Sequence, residues 1–90
     1  MRFVWGRRKN RSNIAHHGIA FEDEVRIFEG ATLEREDDRF DYGEVRYYAI
    51  GCVNGLEIVV IYTVIYTERS ENERRIISAW RAEVYEREEY

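Results

Sequence analysis

The side chains best suited to bind phosphate are concentrated at the start of the chain. Residues 1–17 contain five basic side chains and no acidic ones, whereas residues 22–44 contain ten acidic and three basic ones. All but one of the 14 cationic residues are arginines, whose planar guanidinium can form paired hydrogen bonds to phosphate or carboxylate. The first segment can therefore attract phosphate and the second can repel it, although any one arginine can equally be paired with a neighbouring acid.

Other reactive side chains are few. His16 and His17 are adjacent, and an imidazole can serve as a general acid or base near neutral pH. Neighbouring rings on a helix diverge, and the sequence has no second histidine pair or cysteine cluster, so we expect neither a metal ion nor another cofactor. The single Cys52 falls in a predicted strand and is expected to be a small buried hydrophobic residue rather than a nucleophile.

Length and composition predict one domain that spans residues 1–90. Ninety residues, 44% of them hydrophobic, suffice for one modest core. No apolar run is long enough to span a membrane, and basic residues 7–9 follow only a short apolar stretch, so neither a signal peptide nor a membrane span is predicted. We expect a cytoplasmic protein. The net charge of -4 and the lack of a helix-turn-helix or basic-helix pattern argue against a direct DNA-binding protein.

The predicted elements form an α+β fold, in which short N-terminal helices precede an antiparallel β-sheet and a C-terminal helix. A first helix, capped by Asn10 or Ser12, is expected to end at Gly18, because glycine readily adopts the left-handed conformation found at helix ends. Hydrophobic residues at helical spacing predict a second helix over 21–29. The other predicted elements are strands at 2–5, 31–36, 44–53, 56–67 and 74–79, a loop at 68–73 and a helix at 81–90.

Residues 60–67 consist of the tetrapeptide Val-Ile-Tyr-Thr written twice. Asn54-Gly55 predicts a two-residue hairpin turn, which would place Val45 opposite Val64. Most of the second copy would then run past the start of its partner strand. Because a proline-free edge rich in Val, Ile and Tyr can recruit another edge, we expect this overhang to bulge, or to form a homodimer or strand exchange through 60–67.

An ordered set of motifs resembles the BrnT family of toxins. Residues 9–22 match the pattern K-x3-N-x3-H-G-[VI]-x-F-E, with which this family begins. Further matches follow in the order found in the family: Gly43-Glu44-Val45-Arg46, Ile50-Gly51, Tyr66-Thr67-Glu68-Arg69 and Arg75-Ile76-Ile77-Ser78-Ala79. Together the motifs extend over nearly the whole chain.

The resemblance implies a small toxin of a type II toxin-antitoxin system, with a RelE-like fold, that cuts RNA to inhibit translation and is neutralised by a BrnA-like antitoxin. Cleavage by a 2′-hydroxyl group needs a base, an acid and cations but no metal ion. His17 is then a candidate acid or base, or else a ring packed at the helix end, while His16 is expected to face elsewhere and to lie on the surface. Glu44 can act as a base or orient an arginine. The remaining candidates are Arg46, Arg69 and Arg75 for catalysis and Lys9, Arg7, Arg8, Arg11 and Arg81 for RNA binding.

Three departures from the family pattern leave a second interpretation open. Trp80 stands where the family has an arginine, and Trp5-Gly6 stands where it has Trp-Asp. The repeated tetrapeptide would also displace Arg69 by roughly 13 Å along its strand if no bulge absorbs it. We expect Trp80 to lie opposite Ile61. The alternative is a catalytically attenuated homologue that binds the antitoxin and acts as an interaction module in operon repression.

Overall fold

The computed structural model describes the backbone of residues 1–54 and 59–90. Its five strands form one sheet in the order β1-β5-β4-β3-β2, with β1 parallel to β5 and the other neighbours antiparallel. The predicted α+β class, with helices before a mainly antiparallel sheet and a C-terminal helix, is confirmed. The elements in chain order are β1 (Arg2–Val4), α1 (Arg7–His17), α2 (Phe21–Glu24), a 3₁₀ helix (Val25–Glu29), β2 (Leu33–Glu36), β3 (Tyr47–Asn54), β4 (Val59–Ser70), β5 (Glu73–Arg81) and α3 (Val84–Glu89).

The first helix ends where the sequence predicts but begins earlier. Gly18 terminates α1 with a φ of 77°, and its N–H donates to the Ile14 carbonyl at 2.7 Å. Asn10 lies inside α1 and does not cap it. Its side-chain oxygen instead accepts a hydrogen bond from the Phe21 N–H at 2.9 Å, so Asn10 joins α1 to α2. Within the described residues, no helix combines the length and hydrophobicity that a membrane span requires.

The register of the β3–β4 hairpin differs from the prediction by four residues. Val64 lies opposite Ala49 rather than Val45, and residues 60–66 are all paired with β3. β4 is the central strand of the sheet, between β3 and β5. The predicted overhang is therefore wrong, and so is the free edge on which a homodimer or strand exchange through 60–67 depended. The predicted turn at Asn54-Gly55 extends beyond the described residues.

The pairing of β4 with β5 is irregular at two points. Ile76 lies opposite Tyr66 and Ser78 lies opposite Ile65, so Ile77 is an extra residue in β5. Trp80 lies opposite Thr63, not Ile61 as predicted. A second irregularity makes Arg69 an extra residue of β4, and the predicted loop at 68–73 is a tight turn between Ser70 and Glu73.

The core lies between the N-terminal helices and one face of the sheet. Gly51 marks their closest approach, because a Cβ atom there would lie 2.9 Å from Ile27 Cβ and 2.9 Å from Thr32 Cγ2. Glycine lets the 3₁₀ helix rest directly on β3. The buried hydrophobic cluster consists of Phe21, Ile27, Ala49, Tyr62, Val64, Tyr66, Ile76 and Ala79.

A buried amide joins α1 and α2 to β5. The Asn13 side-chain oxygen accepts a hydrogen bond from the Ala79 N–H at 3.1 Å, and its amide nitrogen donates to Glu24 Oε1 at 3.0 Å. Glu24 is fully buried, and burial raises its pKa from the ordinary 4.5 to about 8, outweighing the opposing effect of the Asn13 hydrogen bond. Asn13 therefore fixes the position of α1 against the sheet.

Candidate functional site

Four of the predicted site residues meet at one small cavity. Lys9 comes from α1, Glu44 and Arg46 come from the loop before β3, and Arg75 comes from β5; together they line a cavity of about 90 Å³. Three cations and one carboxylate thus converge from three separate parts of the chain. Such a group is suited to hold a phosphate, since the positive charge exceeds the negative charge by two.

Arg46 is held in place by its neighbours. Its Nε donates to Glu44 Oε2 at 3.2 Å, and its guanidinium lies over the Tyr42 ring at 4.2 Å from the centroid. The side chain remains 25% exposed, so it is both oriented and accessible. Of the two roles that the sequence allowed for Glu44, this contact supports the orienting one.

A second cavity adjoins the first and contains both histidines. It has a volume of about 270 Å³ and shares Lys9 and Ile77 with the smaller cavity. Its other lining residues are Ser12, Asn13, His16, His17 and Ser78. We call the two cavities together the α1–β5 cleft. The cleft therefore brings both imidazoles to the same surface as Lys9, Arg46 and Arg75.

His16 lies on the surface as predicted, but the prediction that it faces away from His17 is wrong. His16 lines the cleft, and its Nδ1 lies 2.8 Å from the Ser12 carbonyl oxygen, which can only accept a hydrogen bond. Nδ1 must therefore carry the proton, and Nε2 of the neutral ring is left as a proton acceptor. Lys9 and His16 are seven residues apart, which places them on one helix face, and this spacing could have identified His16 from the sequence.

Comparison with known proteins identifies the family. The sequence model of the family described as "Ribonuclease toxin, BrnT, of type II toxin-antitoxin system" matches residues 5–86. The chain belongs to the BrnT family. Its structure is similar to the crystal structure of the Brucella abortus ribonuclease toxin BrnT, with a TM-score of 0.65 and 28% sequence identity, over 92% of this chain and 97% of that one. No curated protein sequence matches the chain.

The other cations predicted for this BrnT-family chain lie outside the cleft. Each is exposed, and none lines either cavity of the cleft. Arg7, Arg8 and Arg11 extend the positive charge of Lys9 along α1. Arg69 is the extra residue of β4, and Arg81 ends β5 opposite Tyr62.

Trp80 fastens α3 to the sheet in this BrnT-family chain. Its Nε1 donates to Glu86 Oε1 at 3.1 Å, and the same oxygen accepts the Glu83 N–H at 2.7 Å as part of the capping box that begins α3. The His17 ring lies beside the indole, with 6.3 Å between centroids. The position where the family pattern has an arginine is thus taken by a side chain that anchors a helix and carries no charge.

The donor set of the cleft favours acid-base and electrostatic chemistry. Across residues 1–54 and 59–90, no three His, Cys, Asp or Glu side chains are grouped as ligands of a metal ion would be. The cleft does combine two imidazoles, three cations and a carboxylate. Proton transfer and stabilisation of phosphate charge are therefore the reactions that its side chains can support.

Proposed function

We propose that this BrnT-family chain is a ribonuclease toxin that cleaves RNA by attack of a 2′-hydroxyl group on the adjacent phosphorus, with the α1–β5 cleft as its active site. The convergence of Lys9, Arg46 and Arg75 beside two histidines supports this proposal. Negative charge accumulates on the phosphate oxygens as the attacking oxygen bonds to phosphorus. Cations fixed in advance around that position stabilise the charge without reorganisation during the reaction.

The two histidines supply the proton transfers in this proposal. His16 Nε2 removes the proton of the 2′-hydroxyl group, because Nδ1 is already committed to the Ser12 carbonyl. The 2′-oxygen then bonds to phosphorus while the bond from phosphorus to the 5′-oxygen breaks. Protonated His17 donates to that leaving oxygen, so the products are a 2′,3′-cyclic phosphate and a free 5′-hydroxyl. Glu44 acts indirectly by holding Arg46.

Membership in a toxin-antitoxin family implies an antitoxin partner and an RNA target, and we propose their places on the molecule. A BrnA-like antitoxin covers the cleft and the exposed arginines of α1, which blocks RNA from the same cations. The chain forms one domain over residues 1–90 and acts in the cytoplasm to inhibit translation. The acidic residues 34–41 contribute little to RNA binding because they repel phosphate.

The salt dependence of RNA binding tests the location of the active site. Each phosphate contact to single-stranded RNA contributes a slope of about -0.7 to the plot of log affinity against log salt. Lys9→Ala combined with Arg46→Ala should therefore make the slope less steep by about 1.4 and abolish cleavage. Arg26→Ala with Arg87→Ala removes as much charge from exposed positions outside the cleft, and should change the slope much less. An unchanged slope in a folded Lys9, Arg46 double variant would place RNA elsewhere.

The attachment of Trp80 to Glu86 supports a second candidate function, an attenuated toxin that binds its antitoxin and serves in operon repression. An indole cannot stabilise phosphate charge in the way that an arginine can. Expression of the chain with and without a BrnA-like antitoxin separates the two functions. Growth arrest that the antitoxin relieves identifies a toxin, whereas harmless expression with tight antitoxin binding identifies the interaction module.

A further inference from the structure

A separate cavity lies between α3 and the face of the sheet that carries Trp80. Its volume is about 360 Å³, and it shares no lining residue with the α1–β5 cleft. Trp80 and Thr63 come from the sheet, and Tyr85, Glu86 and Glu89 come from α3. We call it the α3 cavity. One wall of the α3 cavity is the sheet, and the other is α3, which Trp80 holds in place.

The charge of the α3 cavity is unfavourable for phosphate. Four of its lining residues are acidic and two are arginines. Arg39 is already paired with Asp37, to which its Nε donates at 2.7 Å and its terminal nitrogen donates at 3.0 Å. Formal charge at the cavity is therefore negative, opposite to that of the cleft. The four acids are Glu36, Asp38, Glu86 and Glu89.

Aromatic rings form much of the remaining lining. Trp80, Tyr48 and Tyr85 all border the cavity, and the Tyr48 hydroxyl donates to Glu89 Oε2 at 3.3 Å. The face of an aromatic ring attracts a cation, most strongly when carboxylates lie nearby and water is partly excluded. Rings and carboxylates together are the surroundings that a basic side chain requires.

One polar group at this cavity is unsatisfied. Thr63 lines the cavity and is 1% exposed, and its hydroxyl has no hydrogen-bond partner among the described residues. Buried hydroxyl groups are normally hydrogen-bonded, so this one is an exception at the wall of the cavity.

We propose that the α3 cavity binds the basic side chain of a protein partner, arginine in preference to lysine. The guanidinium is planar, stacks on aromatic rings and pairs with carboxylates through several N–H groups, which matches this lining better than a compact ammonium group does. The proposal does not depend on RNA cleavage in the cleft. It concerns a different surface, of opposite charge, to which Trp80 contributes one of three aromatic rings.

Nuclear magnetic resonance of the full chain can test this with N-acetyl-arginine methylamide as the probe. The indole N–H of Trp80 reports on the cavity, while Trp5, the other tryptophan, packs edge-on against Phe21 and serves as an internal control. Trp80→Phe assigns the two signals. The arginine probe should shift the Trp80 signal saturably and leave the Trp5 signal in place. N-acetyl-citrulline methylamide has nearly the same shape without the charge and should bind at least several-fold more weakly.

A pair of variants on α3 tests the role of the carboxylates. Glu89→Gln removes one charge from the cavity but keeps an acceptor for Tyr48, and should weaken the arginine probe roughly two- to fivefold. Glu88→Gln removes a charge from the next position of the same helix, which does not line the cavity, and should have a smaller effect. Equal binding of the arginine and citrulline probes, no saturable shift, or saturation by adenosine in place of arginine would overturn the proposal, the last identifying a nucleobase site.

Discussion

Replacement of Glu24 by glutamine is expected to remove a large part of the pH dependence of stability. Glu24 is fully buried, its Oε1 accepts the Asn13 amide, and its Oε2 has no partner among the described residues. Burial is the main cause that raises its pKa to about 8. Glutamine has nearly the same shape and still accepts from Asn13, but it cannot ionise, so the substitution isolates the charge.

The raised pKa of Glu24 determines how the stability of the protein changes with pH. The folded-state pKa lies above the unfolded one, so the stabilising contribution is complete below the ordinary pKa of 4.5 and is lost as the pH rises through about 8. The difference between a pKa of 4.5 and one of about 8 corresponds to a loss on the order of 5 kcal/mol in the free energy of unfolding across the full titration. That loss is comparable with the whole free energy of unfolding of a small domain.

Urea unfolding at a series of pH values measures the effect. The difference in the free energy of unfolding between Glu24→Gln and the original chain should grow in favour of glutamine from acid to alkaline pH. Asp37 and Glu34, whose pKa values are lowered by their hydrogen bonds and by arginine neighbours, titrate alike in both proteins and cancel in this difference. Glu29→Gln, at an exposed position, is the control. Parallel curves for Glu24→Gln and the original chain would refute the reasoning.

Three further outcomes are expected. Trp80→Arg places a cation beside His17 and should increase RNA cleavage or toxicity, whereas Trp80→Phe should not; equal activity of all three proteins would remove position 80 from the mechanism. His16→Ala should lower the rate of RNA cleavage at least as much as His17→Ala, and a fully active His16→Ala would exclude it as the base. Gly51→Ala should cost about 1–3 kcal/mol in urea unfolding because its methyl group would contact Ile27, and an unchanged midpoint would contradict that packing.

The sequence predicted the fold class but not the pairing of the strands, and the repeat explains why. A four-residue slip of β4 against β3 exchanges Tyr62 for Tyr66 and Val60 for Val64. Tyr47, Tyr48 and Ala49 then keep the same type of partner, and every residue of β4 keeps its face of the sheet. Local pattern cannot distinguish two such registers. The choice depends on contacts distant in the chain, such as the 2.6 Å hydrogen bond from the Tyr66 hydroxyl to Glu34.

The candidate site was predictable only in part. Family motifs named Lys9, Arg46 and Arg75 separately, and nothing local in the sequence indicated that they meet, because their contact depends on how α1 lies against β5. His16 was missed although its spacing from Lys9 pointed to it. The α3 cavity was also unpredicted, since Trp80 was expected opposite a different residue of β4.

The hydrogen bond from Ala79 to Asn13 has a consequence for self-association. β1 pairs with β5 only at residues 73–75, so the rest of β5 would otherwise offer unpaired backbone groups to any passing strand. The side-chain oxygen of Asn13, on α1, accepts a hydrogen bond from one of these groups, the Ala79 N–H, as the backbone of a neighbouring strand would. At the opposite border, β2 is only four residues long, and three of them, Glu34, Arg35 and Glu36, are charged. Both edges of the sheet are therefore protected from pairing with another strand, although the chain has no proline. We expect its partners to bind to the faces and cavities of the molecule rather than to add a strand to the sheet.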